Sequence, residues 1–185
     1  MTNEELFQIM RPIVETVTGL TQVILADPNA PAPLGEYCAI RPKQSIAERG
    51  QANIYYTDDG TNPDVSVDVR AQIVCEMLLE FYRGEALSYA ELIKQANKRP
   101  DISLALYKAT PQPIGWQRTS NVINLTALQS DNFEQRAQIS IYLLYELINA
   151  NNVVITESIE RVPYQIFNEE LVEINSGEVV TPDAP

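Results

Sequence analysis

Few residues in this chain are suited to catalysis or ligation. Asp58 and Asp59 stand side by side before Gly60. Two adjacent carboxylates can hold a hard cation through oxygen, but Asp-Asp-Gly reads first as a hairpin turn. Cys38 and Cys75 lie far apart, in no Cys-x-x-Cys pattern, each among apolar neighbours. They read as two buried thiols, with a single bridge as the alternative. Trp116, beside Gly115, is either an interface anchor or an ordinary partly buried tryptophan. Histidine is missing altogether, which removes the commonest general base, metal ligand and triad member at once. There is no glycine-rich phosphate loop, Gly-x-Ser-x-Gly, metal-spaced cluster or basic-aromatic patch. The expectation is no enzyme, no cofactor and no metal.

Charge narrows the partners. The chain has 25 acids against 13 bases, a formal net charge of -12. Such a surface repels phosphates, so it disfavours tight nucleic-acid binding but lets DNA pass without sticking. Acidity kept for solubility alone is the plainer reading. The 185 residues suffice for one domain with a real core, or one domain plus an arm. The start, Met1-Thr2-Asn3-Glu4-Glu5, has no basic or apolar leader character, and no run nears the ~20 apolar residues of a membrane span. The chain is expected to be made in the cytoplasm with reduced thiols and no membrane partner.

The elements that would position these residues follow from periodicity. Thr2 and Glu5 have capping-box spacing, and Leu6, Ile9, Met10, Ile13, Val14 and Val17 form one helical stripe ending at Gly19. Pro12 is expected to kink or split that helix. After the apolar run 22–26, Pro28, Asn29, Pro31 and Pro33 build a stiff loop that loses little entropy on docking. Residues 37–47 read as a strand whose Pro42 suggests an edge or a bulge, and 52–57 as a second strand leading to the Asp58–Gly60 turn. From Val65 to Phe81 every odd residue is apolar and most even ones are polar. That is a strand of roughly 55 Å, longer than one core requires, so part of it should project and seek a partner. Residues 85–98 read as a helix with Ala86, Ala90, Ile93 and Ala96 inward, closed by Pro100. Ile102, Leu104 and Leu106 alternate as a strand, and Trp116 follows in a loop or new strand; 133–148 fits a strand or a helix, and the β-branched and aromatic residues of 139–145 favour a second long strand. Residues 153–162 would be a last strand. The division is a domain over 1–162 and an acidic arm over 163–185, ordered only where it docks.

The order of these elements resembles the neck or tail terminator proteins of long-tailed bacteriophages. The resemblance rests on the helix with Arg11-Pro12, on Val17-Thr18-Gly19-Leu20, and on Asn29-Ala30-Pro31-Ala32-Pro33-Leu34-Gly35-Glu36-Tyr37. It continues through Gly84-Glu85-Ala86-Leu87 and Phe133-Glu134-Gln135-Arg136-Ala137-Gln138-Ile139. It implies an α/β (α+β) fold, a mostly antiparallel sheet with two very long strands flanked by an N-terminal and a mid-chain helix. It implies a homo-oligomeric ring, usually a hexamer, in the virion neck or tail, which caps the tail tube and stops its polymerisation. Partners would be the tail tube protein, the neck or connector proteins, and a sheath protein if the tail contracts, with DNA passing through unbound. The acidic arm lies outside the shared pattern. Other readings are a different phage neck, head-completion or baseplate subunit, a host adaptor, or a small carboxylate-dependent hydrolase. The regions expected to meet partners are the Pro28–Pro33 loop, the Asp58–Gly60 tip, Trp116 and the arm.

Overall fold

A computed structural model describes residues 1–26, 31–57, 66–129 and 132–149. Contacts divide the chain into two units. One comprises Met1–Ile54 with Val69–Asn149, the other Tyr55–Asp68 with Ala150–Pro185. The proposed last strand at 153–162 and the arm at 163–185 lie outside the described residues.

The first unit opens with α1, Asn3–Thr18. The capping box forms as the spacing implied: Thr2 Oγ1 accepts from the Glu5 amide at 3.2 Å, and Glu5 Oε2 accepts from the Thr2 amide at 2.7 Å. These bonds satisfy two amides that a helix start leaves unpaired. The Thr2 backbone bond and side chain hold the Glu5 carboxyl below its usual range, against a small opposing effect of burial. Gly19 ends the helix at φ 76°, a left-handed conformation that costs glycine little. Of the kink or split expected at Pro12, the split does not occur, and α1 runs through it. The ring is exposed, while Leu6, Met10, Ile13 and Val14 are buried, and their packing outweighs one missing backbone bond.

The sheet has seven strands. β1 (Val23–Leu25) runs parallel to β2 (Tyr37–Glu48), and β2 is antiparallel to β4 (Ser66–Tyr82). β4 is antiparallel to β9 (Arg136–Asn149), which carries β5 (Gly115–Thr119) and β6 (Ile123–Asn124) on its other side. β3 (Asn53–Thr57) pairs with β4. A separate ribbon joins β7 (Ala127–Gln129) to β8 (Asn132–Glu134). Pro42 sits beyond the last β1 partner, Ile40, and just before a register shift at Lys43, so both features inferred from it occur. The expected α+β architecture with two very long strands is thus present.

The alternation in β4 translates directly into burial. Ile73, Cys75, Met77, Leu79 and Phe81 join Leu6, Met10 and Val14 of α1 in one core. The helix α2 (Ala86–Ala96) adds Ala86, Ala90 and Ile93, and β9 adds Ala137, Ile139, Ile141, Leu143 and Tyr145. The expected inward phase of the first long strand holds from Ala71 to Phe81, while Val69 is exposed, and all four expected inward residues of α2 are buried, Ala96 included. The expected strand over Ile102–Leu106 is instead a third helix, α3 (Pro100–Tyr107). Pro100 lies beyond the end of α2, as expected, and is also the first residue of α3; Ile102 and Leu106, four apart, are buried while Leu104 is half exposed. Two apolar residues four apart fit either period, and Pro100 at the helix start decided it. The second long strand also starts later than expected, at Arg136, because Asn132–Glu134 turns away to pair with β7.

Cys38 and Cys75 are free and buried. Cys38 faces Phe81 across the β2–β4 ladder, six positions from Cys75, so the thiols lie on the order of 20 Å apart. A bridge within one chain needs Cα atoms less than about 7 Å apart. Burial raises the Cys38 pKa far above its usual value and that of Cys75 to about 11.

Candidate assembly interface

Parts of three segments that carried the family resemblance, within 31–37, 84–87 and 133–139, meet at one end of the sheet. β4 leaves the sheet at Tyr82, Arg83 and Gly84, next to the start of β9 and the loop before β2. Arg83 takes a left-handed φ of 64°, unusual for a side chain with a Cβ. Its guanidinium donates to the Pro33 carbonyl at 2.8 Å, the Gly35 carbonyl at 3.2 Å and Glu134 Oε1 at 3.1 Å. One arginine therefore fixes the proline loop to β8. Gly84 follows at φ 52°, and a Cβ there would collide with the Glu36 side chain. Glu36 in turn accepts from the Tyr89 hydroxyl at 2.5 Å, which raises the Tyr89 pKa to about 12.

Beneath the loop, Tyr37 and Tyr82 stack with centroids 4.5 Å apart and planes 4° from parallel. They are direct partners in the β2–β4 register, so the pleat itself brings the rings together. The Arg136 guanidinium lies 4.5 Å from the Tyr82 ring centroid and donates to its hydroxyl at 3.0 Å. Burial, then the neighbouring Tyr82, raises the Tyr37 pKa, while burial and Glu80 raise that of Tyr82. These residues, with Ala32, Ala127 and Leu128, line a cavity of about 460 Å³. Around it stand Leu34, 90% exposed, Phe133, 75%, and Leu128, 62%. The stapled loop holds Leu34 rigidly in solvent, which favours docking because the entropy of ordering is already spent.

The sheet face away from the helices carries a polar row in register. Lys43, Glu76, Tyr142 and Arg118 are successive partners across β2, β4, β9 and β5. Lys43 Nζ lies 2.9 Å from Glu76 Oε2, and Ser140 Oγ donates to Glu76 Oε1 at 2.6 Å. Arg118 lies 3.9 Å from the Tyr142 ring centroid. Burial works against ionised Glu76, but the bonds from Ser140 and Lys43 outweigh it and lower its pKa.

At the opposite end the strands outrun the helices. α1, with 16 residues, is about 24 Å long, less than half of the 17-residue β4 at about 55 Å. Val69, Leu147, Ile148 and Ile54 are 38–55% exposed there.

Of the residues expected to meet partners, Pro31 is exposed and Pro33 is half-buried, its carbonyl held by Arg83. Trp116 is half-buried against the core and donates from Nε1 to Thr119 Oγ1 at 3.0 Å. Pro28, Asn29, Asp58, Asp59 and Gly60 lie outside the described residues. Composition and spacing missed Arg83, the tyrosine stack, Arg136 and the Leu128–Phe133 pair. The runs that carried the resemblance did contain Leu34, Tyr37, Phe133, Glu134 and Arg136. Among the described residues no group of three or more Cys, Asp or Glu side chains is placed to hold a metal, and no helix is long and apolar enough to cross a membrane.

An α+β sheet domain whose ends expose apolar side chains among the described residues suits an assembly subunit. The chain belongs to the phage neck terminator protein family, whose pattern matches residues 4–170. It is accordingly a structural protein of the phage neck, located in the virion. Among solved structures, one similar chain comes from a virion of a native gene transfer agent particle, 17% identical over 76% of this chain and 91% of that one. Its TM-score of 0.31 is too low to carry an argument. No curated protein sequence matches.

Proposed function

We propose that this protein forms a closed ring, usually a hexamer in such an assembly, that caps the tail tube and stops its growth. The ring would join the tube to the neck or head connector, with a sheath protein as a further partner in a contractile tail. Membership in the neck terminator family is the observation that carries this reading. Physical construction supports it. An open tube end keeps adding subunits, and a ring with one tube-like face and one unlike face ends that addition by shape. Long strands reaching beyond their helices suit knitting of neighbours, and a net charge of -12 suits a bore through which DNA passes without binding. The role is assembly without catalysis. The acidic segment 163–185 is proposed as an arm that orders on docking to a neighbour.

The test is a tube-assembly reaction with purified tail tube protein. Adding this protein should shorten or cap the tubes, and deleting its gene should give overlong or headless tails. Equal tube lengths with and without it, together with its absence from purified virions, would sink the terminator role.

A further inference from the structure

Leu128 and Phe133 are direct partners in the β7–β8 ribbon, so their side chains share one face of it. At 62% and 75% exposure they form a bulky apolar knob. Single exposed apolar residues are ordinary on a protein surface, whereas two bulky ones paired on one face begin a contiguous apolar patch of the kind that contact sites use. Arg136 lines the same cavity as Leu128. The Arg136 guanidinium donates to the Tyr82 hydroxyl and lies over that ring, and its further N–H groups can serve a partner.

A separate feature of the same unit is shaped to receive such a knob. Between α1 and α3 runs a groove of about 300 Å³, lined by Ile9, Pro12, Ile13, Ile102, Ala105 and Ala109, with Thr16 and Asp101 at its polar margin. Pro12 and Ala105 keep this surface free of long side chains. Asp101 is the single charged residue of the lining. It accepts two bonds from Arg99, at 3.2 and 2.6 Å, and its carboxylate has lone pairs left for another guanidinium.

We propose that Leu128 and Phe133 of one subunit seat in the α1–α3 groove of the next copy of this chain, with Arg136 reaching its Asp101. The inference rests on the ring reading and names the surfaces that close the ring. Knob and groove share no residue, so the contact is heterologous, the kind that propagates around a ring. Apolar meets apolar, and the cation at the margin of one surface meets the anion at the margin of the other. Two side chains cannot supply the roughly 800 Å² per partner of a stable interface, so the knob acts as its anchor while other surface completes it.

Subunit association of the full chain is measured by sedimentation over a concentration series, alone and with tail tubes, for wild type, Phe133→Glu, Ala105→Arg and the double variant. Both positions are exposed, so circular dichroism should show unchanged folds. Each single change should weaken association at least about thirtyfold, and the double variant should recover most of it through the new Glu–Arg pair. Wild-type association in both single variants overturns the knob and groove while leaving the ring reading intact. Loss in the singles without recovery in the double shows that the two surfaces do not meet each other. Rings that form normally in Phe133→Glu but no longer bind tubes assign the knob to the tube protein instead. A wild-type chain that stays monomeric at every concentration and on tubes removes the ring reading and this inference with it.

Discussion

Replacing Arg83 separates two effects that the structure superimposes on one residue. Its side chain makes two bonds to loop carbonyls and one ion pair to Glu134, and its backbone holds a left-handed φ of 64°. The carbonyl bonds are worth about 1 kcal/mol each net. The ion pair, with the arginine side chain 39% exposed, adds about 0.5 kcal/mol after allowance for solvent screening. Arg83→Ala loses this sum, about 2.5 kcal/mol, and keeps the backbone strain. Arg83→Gly loses the same bonds but relieves about 1 kcal/mol of left-handed strain, for a net loss of about 1.5 kcal/mol. Urea titration should therefore rank wild type above Gly above Ala. Both variants should also free the loop, which limited proteolysis between Ala32 and Glu36 and amide relaxation at Leu34 would detect. Equal stability of the Gly and Ala variants would refute the strain argument. Loop cleavage as slow as in wild type would refute the staple.

Three other outcomes check the rest of the fold. Ile73→Asp puts a carboxylate in a site 3% exposed and should leave the protein insoluble, whereas Gln72→Asp, on the exposed side opposite Glu146, should cost under about 1 kcal/mol in urea titration. Cys38 and Cys75 should both react with a polar thiol reagent only as fast as the chain unfolds, because burial and raised pKa values leave little accessible thiolate; rapid native labelling of both contradicts this. The Glu76 pKa is lowered in the fold, so its contribution is present above the unfolded carboxylate range and lost as pH falls through the folded value. Glu76→Gln should flatten the acid side of the stability profile, and a profile identical to wild type would show that the Lys43–Glu76–Ser140 arrangement contributes nothing.

Local pattern carried much of the architecture. The capping box at Thr2, the stop at Gly19 and the inward stripe of α1 depend on residues within one or two turns, and they can be read directly. The phase of β4 was legible because its odd positions are apolar throughout, whereas the segment of β9 fitted a strand or a helix and its β-branched and aromatic content favoured the strand. The family was legible too, in the proline loop and the Arg136-Ala137-Gln138 run. Where a short segment fitted two periods, sequence failed: Ile102 and Leu106 suit a strand or a helix, and Pro100 at the first helical position and the packing against α1 selected the helix. At Pro12 the expected split gave way for the opposite reason, a local penalty yielding to the packing of the buried residues of α1.

The interface lay almost wholly beyond local reading. Arg83 touches Pro33, Gly35 and Glu134, residues about fifty positions away on either side, and Leu128 meets Phe133 only because the ribbon folds back on itself. Sequence determined which strands are long, which side of each is apolar and how acidic the surface is, since these follow from residue order and count. Tertiary structure alone decided which end of the long strands lies beyond the helices, that one arginine ties three distant segments together, and that a knob and a groove stand on separate surfaces. Those are facts of register and chain crossing, and no local period encodes them.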